Sequence, residues 1–178
     1  MQVRFSTALG LPVTDEEMTE QIGTLSGVLL HPDTGQVEGF FVRVPRFLHA
    51  EELFLSSFDI LRWGLRVIVR DRDVLSPVEE RIRLQSLLED GRTILRQPIV
   101  TDTGRALGRC GDVQFDTVHF VVHWIWPKRW GRWGIPLPMS QVLEVRKDAI
   151  IVRDPAVAAP EKAAAVKAPL LNQMPETA

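Results

Sequence analysis

The sequence predicts an all-β protein built as two tandem small barrels, joined by a short helix and followed by a disordered C-terminal tail. Three observations predict it. Short runs rich in β-branched residues alternate with Gly, Pro and Asp punctuation along most of the chain. A β-hairpin is legible at residues 22–42, where Val28-Leu29-Leu30 runs into His31-Pro32-Asp33-Thr34-Gly35 and Val37 to Val42 returns. Finally, three anchors recur in the same order at a separation of about 85 residues. Leu9 to Val13 returns as Leu95 to Ile99, Gly23 returns as Gly108, and Val67 to Asp71 returns as Ile150 to Asp154.

In the first copy, strands are expected near 9–13, 25–31, 36–44, 53–56 and 65–70. In the second they are expected near 94–100, 106–115, 118–126, 134–137 and 149–153. Five short strands per copy suit a small closed or half-closed barrel, which also removes exposed sheet edges. Ser76-Pro77-Val78-Glu79 has the residues of a helix start, with Ser as N-cap, Pro at the first helical position and Glu three residues on. Gly91 supplies a stop. The divisions are therefore 1–76, first barrel; 77–91, connecting helix; 92–155, second barrel; and 156–178, an Ala/Pro-rich tail too poor in large apolar groups to fold.

The order Leu-x-x-Pro-Val, Gly-x-x-x-x-Val, Asp-x-Thr-Gly, apolar strand, Ile-Val-Arg-Asp resembles the PRC-barrel family over residues 5–75 and 92–155. That family includes the cytoplasmic domain of the photosynthetic reaction-centre H subunit and the C-terminal domain of a ribosome-maturation factor. The shared positions are structural glycines and apolar residues, so the resemblance implies a fold and no chemistry. Members usually carry Asp where the first copy has Gly27; the second keeps Asp112. The second copy is expected to trim its turn to Asp116-Thr117-Val118 and to lose the Gly.

Composition narrows the function. The chain is 45% hydrophobic and 25% charged, ordinary for a soluble domain, and its net charge of -2 gives it no overall attraction to nucleic acid or acidic lipid. One cysteine excludes an intrachain disulfide and a Cys-rich zinc site. No apolar run reaches the length of a transmembrane segment, and the N-terminus lacks a long apolar signal, so a cytoplasmic location is expected.

Candidate chemistry is sparse. His119 and His123, four apart in a β-type run, would stand roughly 13 Å apart, too far to share one ion. Cys110 has no readable base beside it and reads as a small buried residue. Asp15, Glu16, Glu17 and Glu20 read as a solvated loop. No enzyme, no cofactor and no metal site is expected.

One stretch stands out. Trp124 to Gly134 packs four of the five tryptophans beside Lys128, Arg129 and Arg132. Pro127 should end regular pairing, leaving Lys128 to Arg132 as a hairpin tip. Trp and Arg are enriched at interface hot spots. Lys128, Arg129, Trp130, Arg132 and Trp133 are therefore the interaction candidates, with intramolecular packing as the competing reading. The expected function is a non-enzymatic adaptor or scaffold that binds a protein partner or a second copy of itself. The alternative is an RNA-processing or ribosome-assembly accessory factor that contacts RNA or a ribosomal component.

Overall fold

The structure, a computed structural model, describes residues 1–47 and 49–154; the expected tail at 156–178 lies outside them. Fifteen strands and two short α-helices follow one another as β1 (Gln2–Arg4), α1 (Phe5–Ala8), β2 (Pro12–Thr14), β3 (Gln21–Leu30), β4 (Val37–Pro45), β5 (Ala50–Ser56), β6 (Ile60–Trp63), β7 (Val67–Val69), β8 (Leu75–Ser76), α2 (Gln85–Asp90), β9 (Pro98–Thr101), β10 (Ala106–Asp116), β11 (Val122–Arg129), β12 (Arg132–Trp133), β13 (Leu137–Pro138), β14 (Val142–Val145) and β15 (Ile150–Val152). The fold is all-β.

The strands form two sheets of matching order. The first runs β6-β7-β2-β3-β4-β5-β8, and the second runs β14-β15-β9-β10-β11-β12. Each contains one parallel pair at the same place. Val13 faces Val67 in the first, and Ile99 faces Ile150 in the second. Those four residues are the anchors of the sequence repeat, so the repeat is a repeat of topology. The glycine anchor has a steric cause. A Cβ on Gly23 would lie 2.6 Å from the Arg43 carbonyl oxygen, and one on Gly108 would lie 2.7 Å from that of Lys128.

The hairpin of residues 22–42 is β3 and β4. Gly35 takes φ +70° in its turn, and its N–H donates to the His31 carbonyl. The corresponding turn of the second repeat is not trimmed. Phe120 occupies the glycine's place with φ +54°, and the turn keeps its length because Asp116 caps it, accepting from the N–H groups of Val118 and His119 at 2.8 Å each.

These two turns meet. Gln36 and Val121 form an antiparallel bridge. On either side of it, Val37 N–H donates to the Phe120 carbonyl at 2.7 Å and Val122 N–H donates to the Gly35 carbonyl at 2.9 Å. Equivalent residues of the two repeats thus make reciprocal contacts, as across the twofold axis of a symmetric dimer. An aromatic cluster fills the space beneath. Phe40 and Trp63 of the first repeat pack on Phe115 and Phe120 of the second, with Phe40 and Phe115 centroids 5.7 Å apart and Trp63 and Phe115 5.5 Å apart. One continuous hydrophobic core includes residues from both sheets.

The structure departs from the sequence boundaries in two places. Residues 1–76 are not one unit, because β1 pairs with β10 of the second sheet, Val3 opposite Phe115. The connecting helix at 77–91 is mostly 3₁₀ turns, at Val78–Glu80 and Ile82–Leu84, before α2. Arg81 explains the break. It leaves helical geometry at ψ 86°, and its side chain takes the Ser76 hydroxyl and the Val74 carbonyl as acceptors. The expected stop holds: Gly91 caps α2 at φ +69°. β6 and β14, missed in the sequence, are antiparallel partners of β7 and β15.

Candidate functional site

The tryptophan-rich stretch forms the hairpin β11–β12. Its tip is narrower than the sequence implied. Lys128 pairs with Trp133 and Arg129 with Arg132, so only Trp130 and Gly131 make the turn. Both have positive φ, +48° and +78°, the pattern of a type I′ turn, whose twist matches the flanking strands. Pro127 does not stop the strand. It lies opposite Cys110 beside a bulge that leaves Gly111 unpaired, so the ladder is already interrupted where its missing N–H falls.

The five candidates separate into two groups. Trp133, 45% exposed, lies across the sheet and packs edge to face on Trp126. Arg4 of β1 packs against both it and Trp126, with the guanidinium carbon 4.5 Å from the Trp133 ring centroid and 4.2 Å from that of Trp126. Lys128 reaches the Trp133 ring at 4.8 Å. Arg4 Nε in turn donates to Asp112 at 2.9 Å. Asp112 is only 1% exposed and also accepts from the Ser6 N–H, the Ser6 hydroxyl and the Val113 N–H. A buried carboxylate thus ties the N-terminal segment to the second repeat, and the cation it holds lies against two indoles that meet edge to face at 88°.

Trp130 is different. It is 90% exposed, with the Arg129 guanidinium carbon 5.0 Å from its ring centroid. Lys128, Arg129 and Arg132 are exposed, and none has a carboxylate partner among the described residues. Ile135, just beyond β12, is 84% exposed. Leu107, Trp133 and Gly134 join the tip residues around an open groove of about 730 Å³. The chemical content of this end is an exposed indole, neighbouring apolar surface and uncompensated positive charge.

Other candidates lie elsewhere. His119 sits in a turn, not a strand, with Nδ1 3.3 Å from Asp116. No group of three potential metal ligands is brought together among the described residues. Cys110 is buried, and burial pushes its thiol up to about 12, which leaves it no thiolate for nucleophilic work. The acidic loop 15–20 is ordered from within: Asp15 accepts from the Thr19 hydroxyl and the Glu20 N–H, and these bonds hold its carboxyl below the usual range. Glu16, Glu17, Met18 and Glu20 project into solvent.

The sequence did not reveal the Arg4–Asp112 pair. Asp112 was conspicuous only as the Asp that Gly27 replaces in the first copy, and its partner is 108 residues away.

Residues 1–83 match the PRC-barrel domain. The matched part starts with β1 and α1, which pack on the second sheet, and the second sheet repeats the strand order of the first. The PRC-barrel is a general protein-interaction fold. No curated protein matches the chain. No helix among the described residues is long and apolar enough to cross a membrane.

Proposed function

We propose that this protein is a non-enzymatic adaptor that docks on a partner protein through the β11–β12 hairpin. The observation that carries the reading is Trp130, 90% exposed on a two-residue turn between cations without carboxylate partners. A type I′ turn presents the indole rigidly, so little conformational freedom is lost when it is covered. Trp and Arg together are what interface hot spots favour. Trp133 is a poor candidate contact by comparison, because its ring holds Arg4.

The test is a photo-cross-linking residue placed at position 130, with identification of the captured protein and measurement of its affinity for the purified chain. Trp130→Ala with Arg132→Glu should weaken that affinity at least tenfold while leaving the unfolding midpoint unchanged. Unchanged affinity would refute the reading. Cations beside an exposed indole also suit single-stranded RNA; nuclease-sensitive, steeply salt-dependent capture at position 130 would select that reading instead.

A further inference from the structure

The two repeats differ in charge. Acidic residues outnumber basic ones in residues 1–90, and basic residues outnumber acidic ones in residues 91–154. The fold converts that difference into one between two ends. β4 and β11 begin at the antiparallel Gln36–Val121 bridge and leave it in opposite directions. The far end of the first sheet therefore lies opposite the far end of the second.

At the second repeat's end stand Lys128, Arg129, Arg132 and the exposed Trp130. At the first repeat's end stands the acidic loop with Glu16, Glu17 and Glu20, the last 3.8 Å from Arg72, and on β5 stands Glu52, which accepts from the Ser26 hydroxyl. That acidic end also has apolar surface, with Met18 55% exposed and Phe47 fully exposed. Between the loop and β5 lies a groove of about 260 Å³, lined by Gln21, Gly23, Thr24, Arg43, Pro45 and Ala50.

We propose that the Trp130 hairpin of one molecule docks in this groove of a second copy. The indole enters between Thr24 and Ala50, stacks on the Arg43 side chain, and brings Arg129 and Arg132 against Glu20 and Glu52. This rests on the reading of the Trp130 hairpin as a docking surface and names its partner. Because knob and groove are at opposite ends of one molecule, a molecule cannot satisfy itself. Each contact leaves one free knob and one free groove, so the contact is heterologous and propagates as an open chain.

The experiment is sedimentation velocity on the full chain over a concentration series at low salt. Mass should rise with concentration past the dimer, and about 0.5 M salt should return the protein to monomer. Two variants separate the ends. Trp130→Ala with Arg132→Glu removes the knob, and Glu20→Lys with Glu52→Lys closes the groove to cations. Each alone should remain monomeric with an unchanged unfolding midpoint. Mixed in equal amounts, they retain one intact knob and one intact groove and should form a one-to-one heterodimer and nothing larger. A wild type that is monomeric throughout, assembly that persists in either variant, or a mixture without heterodimer overturns the proposal. If the wild type is monomeric while the knob variant still loses a cross-linked partner protein, self-docking is wrong and the adaptor reading stands.

Discussion

Removing the Asp112 carboxylate would leave Arg4 against two indoles with its charged partner gone, and the Ser6 and Val113 N–H groups without their acceptor. Breaking a buried, hydrogen-bonded ion pair from one side costs more than the pair contributes, because the remaining group stays desolvated. Asp112→Ala should therefore lower stability by about 2–4 kcal/mol in urea unfolding, with the half-buried Trp126 becoming more accessible to a fluorescence quencher. A loss below about 0.5 kcal/mol, within the range of ordinary surface changes, would mean the N-terminal segment is held by β1 pairing alone.

Asp116 makes a pH-dependent contribution of known sign. The N–H groups of His119 and Val118, in that order, hold its carboxyl well below the usual carboxylate range. A depressed folded value means the stabilisation is complete above about pH 4, where the unfolded group is ionised, and is lost as pH falls through the folded value. Asp116→Asn keeps an acceptor that does not titrate. The stability difference between wild type and variant should be largest near neutrality and shrink in acid. A difference that does not change between pH 7 and pH 2 would show that charge plays no part in capping this turn.

At the scale of elements, the repeated glycines were readable as a repeat but not as a cause. Gly23 and Gly108 sit where a neighbouring strand's carbonyl passes within reach of a Cβ, and Gly108 also has φ +121°. Gly23→Ala and Gly108→Ala should each cost about 2–3 kcal/mol by overpacking. Gly64→Ala, with nothing within 4 Å of its Cβ, should fall within about 0.5 kcal/mol of wild type. Matching losses at 23 and 108 would confirm by energetics that the two positions are one position used twice; a neutral Gly108→Ala would break the equivalence.

The hairpin β3–β4 and the strands that hold the repeat anchors were legible because local turn chemistry and β-branched runs encode them; that β2 with β7 and β9 with β15 pair in parallel was not. The helix at 77–91 was misread because Ser76 and Glu79 carry the letters of a cap while Arg81 claims the Ser76 hydroxyl. The tryptophan tip was legible as unusual, yet nothing local separates Trp130 from Trp133. The difference is Arg4, which reaches Trp133 only through β1–β10 pairing. Long-range partners of this kind leave no spacing signature.

For the molecule as a whole, the question is whether two repeats make two folding units. The sequence suggests that they do, with a connector between them. The structure argues for one unit. Phe40, fully buried, lies 5.7 Å from Phe115 and 6.1 Å from Phe120 across the repeat boundary. β1, from the chain's start, completes the second sheet, and Arg92 reaches across the boundary. Its guanidinium donates to Asp33 at 2.6 and 2.8 Å, to Asp90 at 2.7 Å and to the Val145 carbonyl at 3.1 Å. Neither repeat can open without exposing the other's share of this core. Calorimetry should therefore show a single unfolding transition with calorimetric and van't Hoff enthalpies in agreement. Phe40→Ala, a first-repeat substitution, should cost about 3–5 kcal/mol. It should lower amide-exchange protection at Ile99 and Ile150 of the second repeat by as much as at Val67 of the first. Two resolved transitions, or protection lost at Val67 alone, would show that the repeats fold separately and only touch through their aromatic faces.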